Sequence, residues 1–145
     1  MAAASFLSDQ EQANVMAAIA DAELQTSGEI RLHFESRCKG EVLDRAAMVF
    51  ETLSMHKTAR RNGVLFYLAT EDRKFAILGD GGINAVVPDN FWNEVKDKVI
   101  DGLATGKPAE GLASGIRLAG QQLSAHFPLE ADDRNELSND ISFGS

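Results

Sequence analysis

The feature that most constrains the fold of this chain is a short apolar segment near its centre, Val64-Leu65-Phe66-Tyr67-Leu68-Ala69. The segment is uninterrupted, rich in aromatic and branched residues, and preceded by the chain-breaking pair Asn62-Gly63. Such a run is typical of a strand that is buried on both faces. It therefore predicts a central strand in a sheet that helices cover.

Two further strands are predicted beside the central one. From Glu29 to Glu35, apolar and polar residues alternate, which predicts a strand with one apolar face and one polar, half-exposed face. Phe75-Ala76-Ile77-Leu78 follows a polar turn at residues 70–74. This second segment predicts an antiparallel hairpin with the central strand.

Apolar residues at helical spacing predict four helices, one before the first strand, one between the first two strands and two after the hairpin. After a loop at residues 79–88, Asp89 is predicted to cap the third helix, which would carry Phe91 and Trp92. Pro108 is placed at the first position of the last helix. A helix between two strands predicts a right-handed parallel crossover. The predicted fold class is α/β, with a twisted mixed parallel/antiparallel sheet of three to four strands flanked by helices on both sides (α-β-α-β-β-α-α).

The length and charge of the chain limit its organisation and partners. We expect one domain at residues 1–128, an acidic C-terminal tail at 129–145, and a monomer. The net charge of −8 disfavours nucleic acid and anionic membranes. The single cysteine, Cys38, excludes a disulfide framework and a thiolate zinc site. A basic, apolar leader and an 18-residue apolar segment are both absent from the sequence, which predicts a cytoplasmic protein without membrane insertion.

The acidic tail has two interpretations. Five acids and one base lie in it, which favours a solvated segment or one that binds a basic partner. Ile141 and Phe143 indicate instead that its end docks on the domain.

Two acids are predicted to lie at one end of the sheet. Glu29 is the first residue of the first strand, and Asp80 follows the antiparallel strand of the hairpin. Glycines around Asp80, including Gly81, allow the backbone to turn tightly there. Two carboxylates with backbone carbonyls and water form a set of hard oxygen ligands, which suits Ca²⁺ or Mg²⁺.

An ordinary structural explanation of these acids stays open. Glu29 could pair with Arg31, Arg61 or a lysine, and Asp80 could cap its own turn. If the central strand lies between the two acid-bearing strands, their ends are about 9–10 Å apart. One ion would then need further ligands from loop carbonyls, water or the tail.

Several segments of the chain resemble the core blocks of the TPM domain, and two others resemble a short bacterial branch of that family. The core blocks are residues 26–31, 57–65 and 75–83, and the branch features are residues 91–92 and 132–137. The resemblance implies an α/β sandwich around a twisted mixed sheet. It also implies divalent-cation binding, with Glu29 and Asp80 as metal ligands and Gly81 as a carbonyl donor, and an acid-phosphatase activity claimed for some members.

The expected function is that of a Ca²⁺- or Mg²⁺-binding domain that acts as a binding or interaction module. Its expected partners are a divalent cation and another protein, for example a membrane-anchored one. The alternative is a metal-dependent phosphatase for phosphomonoesters, in which Arg60 or Arg61 steadies the phosphoryl charge. The sequence offers no recognisable nucleophile motif for that reaction, and the net charge of −8 repels phosphate esters.

Overall fold

The computed structural model of the protein describes residues 3–129 and 139–144. Within these residues the strands form one sheet in the order β3-β2-β1-β4. The strands are β1 (Glu29–Glu35), β2 (Gly63–Ala69), β3 (Lys74–Gly79) and β4 (Ser142–Phe143). The helices are α1 (Asp9–Glu23), α2 (Val42–Thr52), α3 (Gly81–Asn84), α4 (Asn93–Ala104) and α5 (Pro108–Leu123). The predicted α/β class with a mixed sheet is confirmed.

Strand β2 is the central strand that its composition predicts. All 7 of its residues are buried. Strand β1 pairs with it in parallel and β3 pairs with it antiparallel, so the predicted crossover through α2 and the predicted hairpin are both present.

Alternate residues of the strands contact two different helical layers, because successive side chains of a strand point to opposite faces. Ile30 and Phe66 pack in the larger core with α1, α4 and α5. Leu65 and Tyr67 pack on the other face with α2. None of the helices in the described ranges is both long and apolar enough to span a bilayer.

The start of the third long helix differs from the prediction. Helix α4 begins at Asn93, and Trp92, rather than Asp89, is its capping position. Before it the chain makes two tight turns, in which the Phe91 amide donates to the Pro88 carbonyl (3.0 Å) and the Asn93 amide to the Asn90 carbonyl (3.1 Å). The rings of Phe91 and Trp92 meet edge to face at 4.7 Å and pack on the larger core. Packing of these two aromatic side chains holds the turn in place, so the helix begins only after it, at Asn93.

The polar face of β1 is buried, so the expectation of a half-exposed face was wrong. Arg45 of helix α2, which packs on β2 and β3, reaches this face and hydrogen-bonds to the Glu35 carboxylate. The Tyr67 hydroxyl donates to the same carboxylate, which is itself only 2% exposed. Burial alone would raise the pKa of Glu35, but the hydrogen bonds from Arg45, Tyr67 and His33 lower it to about 2. The sequence shows the alternation, whereas only packing determines which helix lies over the polar side.

Residues 139–144 lie along the free edge of β1. Strand β4 pairs in parallel with His33 and Phe34, and the Gly144 amide donates to the Phe34 carbonyl at 2.7 Å. Ile141 is buried, and the ring of Phe143 meets that of Phe34 at 6.0 Å. The predicted docking of these two apolar residues is present. The acids and the arginine at positions 130–136 lie outside the described residues, and the division into a domain and a tail stays a prediction.

Glu23, at the end of α1, joins three parts of the chain. Its carboxylate accepts a hydrogen bond from the Ile30 amide at 3.0 Å and another from the side chain of Asn139. Burial raises the pKa of Glu23 to about 7, and these two neutral donors offset the shift only in part. The folded protein therefore holds a proton on Glu23 more tightly than the unfolded chain does.

The contribution of Glu23 to stability should consequently depend on pH. It is fully present below about pH 4.5 and is lost as the pH rises through about 7, because ionisation in the folded state is disfavoured. Glu23→Gln removes the ionisable group. We expect its free energy of unfolding to rise by about 1–2 kcal/mol relative to that of the unmodified protein on going from pH 5 to pH 8. Urea unfolding at the two pH values measures this difference. If the difference in unfolding free energy between the two proteins is the same at both pH values, Glu23 ionises freely in the folded state.

Candidate cation site

The two acids predicted as ligands lie in one row across the sheet, with Gly63 between them. Glu29 pairs with Gly63 in the parallel register of β1 and β2, and the Asp80 amide donates to the Gly63 carbonyl at 2.9 Å. Because β2 lies between β1 and β3, the backbones of Glu29 and Asp80 are two strand spacings, about 9–10 Å, apart. Strand alternation assigns all three positions to the face that α2 covers. The middle residue is a glycine, so no side chain of this row lies between the two acids.

Both acidic residues are buried at this end of the sheet. Glu29 is 4% exposed and Asp80 is 7% exposed. A carboxylate that is removed from water costs free energy unless positive charge or hydrogen-bond donors compensate it. The partners of these two side chains therefore decide what the site binds.

Asp80 caps the short helix α3 and forms an ion pair with Arg61. Its Oδ1 accepts a hydrogen bond from the Gly81 amide at 2.7 Å, as the capping explanation predicts. The guanidinium of Arg61 donates from Nε to Oδ2 and from Nη2 to Oδ1, both at 2.7 Å. Burial alone would raise the pKa of Asp80, but the hydrogen bonds from Arg61 and Gly81 lower it below its ordinary value. The carboxylate is thus ionised at neutral pH and already has a positive partner.

Helix α3 forms in a segment predicted as a loop, and it packs closely on the residues that precede β2. The Gly82 amide donates to the Arg61 carbonyl at 2.9 Å. A Cβ atom on Gly82 would lie 2.2 Å from the Arg60 carbonyl oxygen and 2.7 Å from that of Arg61. Only glycine allows this approach, so Gly82 fixes the position of Arg61 relative to Asp80. The Gly81 carbonyl accepts the Ala85 amide at 3.1 Å, which leaves its second lone pair.

His56 adds a nitrogen atom to the surroundings of Asp80. Its Nδ1 is buried and has no hydrogen-bond partner within the part of the chain that the structure describes. His56 is among the groups whose electrostatic interaction lowers the pKa of Asp80, so the two residues are near each other. Spacing along the chain did not point to this nitrogen, since His56 belongs to no ligand-spaced pair.

The side chains alone do not make a complete metal site. In residues 3–129 and 139–144, no group of three or more His, Cys, Asp or Glu side chains is arranged to hold an ion. A cation bound at Glu29 and Asp80 would need backbone carbonyls and water as its other ligands. Such a mixed oxygen set is usual for Ca²⁺ and Mg²⁺ and unusual for Zn²⁺.

The fold defines a small mixed α/β domain with a pair of buried acids at one end of its sheet. Residues 1–122 match the TPM domain family, and the chain belongs to that family. The resemblance seen in the sequence is therefore confirmed. No curated protein matches the chain.

Several solved structures of bacterial proteins are similar to this chain. The NMR structure of BA42 from the psychrophilic bacterium Bizionia argentinensis is 45% identical, with a TM-score of 0.91 and 96% of each chain covered. An N-terminal domain from P. gingivalis is 19% identical, with a TM-score of 0.67, over 83% of this chain and 78% of that one. The N-terminal domain of cg2496 from Corynebacterium glutamicum is 18% identical, with a TM-score of 0.66, over 90% and 84%. The last two are similar in fold alone.

The close approach at Gly82 leads to a stability prediction with a matched control. We expect Gly82→Ala to destabilise the protein by about 1–3 kcal/mol, because the added Cβ must push α3 away from two carbonyl oxygens. Gly81→Ala is the control, since its Cβ would meet no atom within 4 Å. Chemical unfolding of the two variants measures the difference. Equal effects would mean that backbone flexibility, rather than this contact, requires the glycines.

Proposed function

We propose that this TPM domain binds a divalent cation of the Ca²⁺ or Mg²⁺ class through Glu29 and Asp80, with Gly81 as a carbonyl ligand, and that it acts as a binding or interaction module. The observation that carries the proposal is the row formed by Glu29, Gly63 and Asp80, in which two buried acids lie at the same end and on the same face of the sheet.

The chemistry of the row supports a hard cation. Two buried carboxylates concentrate negative charge at one end of the sheet, where Arg61 already compensates Asp80 and a divalent ion would supply further positive charge. The glycine between them adds no side chain that would compete with the water molecules that Ca²⁺ and Mg²⁺ retain. The net charge of −8 attracts cations to the domain from a distance.

Titration with CaCl₂ and MgCl₂, followed by amide NMR, tests cation binding. We expect shifts at residue 29 and residues 80–82 below millimolar ion, and Glu29→Gln or Asp80→Asn should each weaken binding by about tenfold or more. Asp21→Asn is the matched control, because Asp21 forms an exposed ion pair with Arg117 between α1 and α5, the helices on the opposite face of the sheet. If the amides at 29 and 80–82 do not move at millimolar ion, the site does not exist.

The interaction role needs its own experiment. The proposed partner is a protein, for example a membrane-anchored one, and the acidic tail is the segment suited to a basic surface. Affinity purification with the full chain and with a chain in which the acids at positions 130–136 are replaced by their amides separates a partner that depends on the acidic tail from one that binds the domain, and it keeps the docked residues 139–144 in place. Recovery of no specific protein by either chain would count against the module proposal.

A metal-dependent phosphatase is the second candidate. The observation in its favour is that Arg60 and Arg61 lie beside the acid-bearing end, where guanidinium groups can hold phosphoryl oxygens. A chromogenic phosphomonoester assayed at acid and neutral pH with Mg²⁺ or Ca²⁺ tests it. Metal-dependent activity that Asp80→Ala abolishes would favour the enzyme, and activity that is absent or unaffected by Asp80→Ala would exclude it.

A further inference from the structure

The Arg61–Asp80 ion pair joins a buried group to an exposed one. The side chain of Asp80 is 6% exposed, whereas that of Arg61 is 56% exposed. The Asp80 carboxylate is also held in place by α3, which it caps through the Gly81 amide. The guanidinium, by contrast, can leave by rotation of its own side-chain torsions.

The backbone of Arg61 is held separately from its side chain. Its φ angle is +52°, a conformation that residues with a Cβ rarely adopt. Hydrogen bonds fix it there, from the Arg61 amide to the Thr58 carbonyl (3.3 Å) and from the Gly82 amide to the Arg61 carbonyl (2.9 Å). These bonds do not involve the guanidinium, so its departure would leave the backbone in place.

We infer that Arg61 is a tethered competitor of the cation at Asp80. Its guanidinium neutralises the carboxylate when no ion is bound, and it must leave before a divalent cation can coordinate the same oxygens. Arg61 therefore sets the affinity of the site. This inference depends on the proposed cation binding, because it assigns a role to the residue that occupies one of the two proposed ligands.

Competition follows from the hydrogen bonds of the carboxylate. The two oxygens of Asp80 accept three hydrogen bonds, two of them from Arg61. Oδ2 has only the Arg61 bond among them, so loss of Arg61 opens this oxygen, while the Gly81 amide stays on Oδ1. A buried carboxylate must keep a positive partner, and a divalent ion supplies more charge than a guanidinium. The exposed arginine loses little when it returns to water.

The experiment compares Ca²⁺ binding to the full-length protein and to variants of Arg61 by calorimetry and amide NMR. We expect Arg61→Gln to bind Ca²⁺ more tightly by roughly fivefold, the size expected for a lost ion pair with one exposed partner. Arg61→Asn is a second variant, since asparagine tolerates a positive φ. Arg117→Gln is the control, because it breaks the Arg117–Asp21 pair and should leave the affinity unchanged. Thermal unfolding checks that each variant is folded.

A direct readout follows the guanidinium itself. In the unmodified protein, the Nε–H resonance of Arg61 should move toward the position of a solvated arginine as Ca²⁺ saturates the site. A merely structural arginine would stay on Asp80 and its signal would not move.

The outcomes distinguish the two proposals. If neither the unmodified protein nor the Arg61 variants bind Ca²⁺, the cation site fails and the competitor role fails with it. If the unmodified protein binds Ca²⁺ and the Arg61 variants bind equally or more weakly, cation binding stands and competition is overturned. Tighter binding by the variants together with release of the Nε–H signal supports competition.

Discussion

Strand β2 is buried on both faces and hydrogen-bonded along both edges, and the other elements are arranged around this requirement. Its backbone groups need a partner strand on each side, which β1 and β3 supply. Its alternate side chains need a cover on each face, which α2 provides on one side and α1, α4 and α5 on the other. At the edge of a sheet, a strand of this composition would expose unpaired backbone groups and apolar side chains, so a central position is favoured.

The central position of β2 also places the acids. Because β1 and β3 flank β2, the register aligns Glu29 and Asp80 on either side of Gly63 and separates them by two strands. The same arrangement brings Arg45 of α2 within reach of Glu35 on the polar face of β1. Polar residues that alternation assigns to solvent are therefore enclosed, and each needs a partner inside the protein.

Three buried or partly buried carboxyl groups show how the partner decides the charge. Burial tends to raise the pKa of each of them. At Glu35 the hydrogen bonds from Arg45, Tyr67 and His33 outweigh burial, and at Asp80 those from Arg61 and Gly81 do so. At Glu23 the donors are neutral, and the pKa stays near 7. An arginine at the surface end of an ion pair keeps a carboxylate ionised, and at Asp80 it is the partner that we propose a divalent cation replaces.

The sequence by itself determined the central strand, the parallel crossover, the hairpin and the start of the last helix at Pro108, because each depends on local composition and spacing. It also placed Glu29 and Asp80 at one end of the sheet, and family resemblance rather than spacing made them candidate ligands. Tertiary structure alone decided that Arg45 of α2 pairs with the buried Glu35 and that Arg61 pairs with Asp80. Those pairings join residues that are distant along the chain or lie on different elements. They depend on which helix covers which face and on the close approach of α3 at Gly82, and no local pattern encodes either.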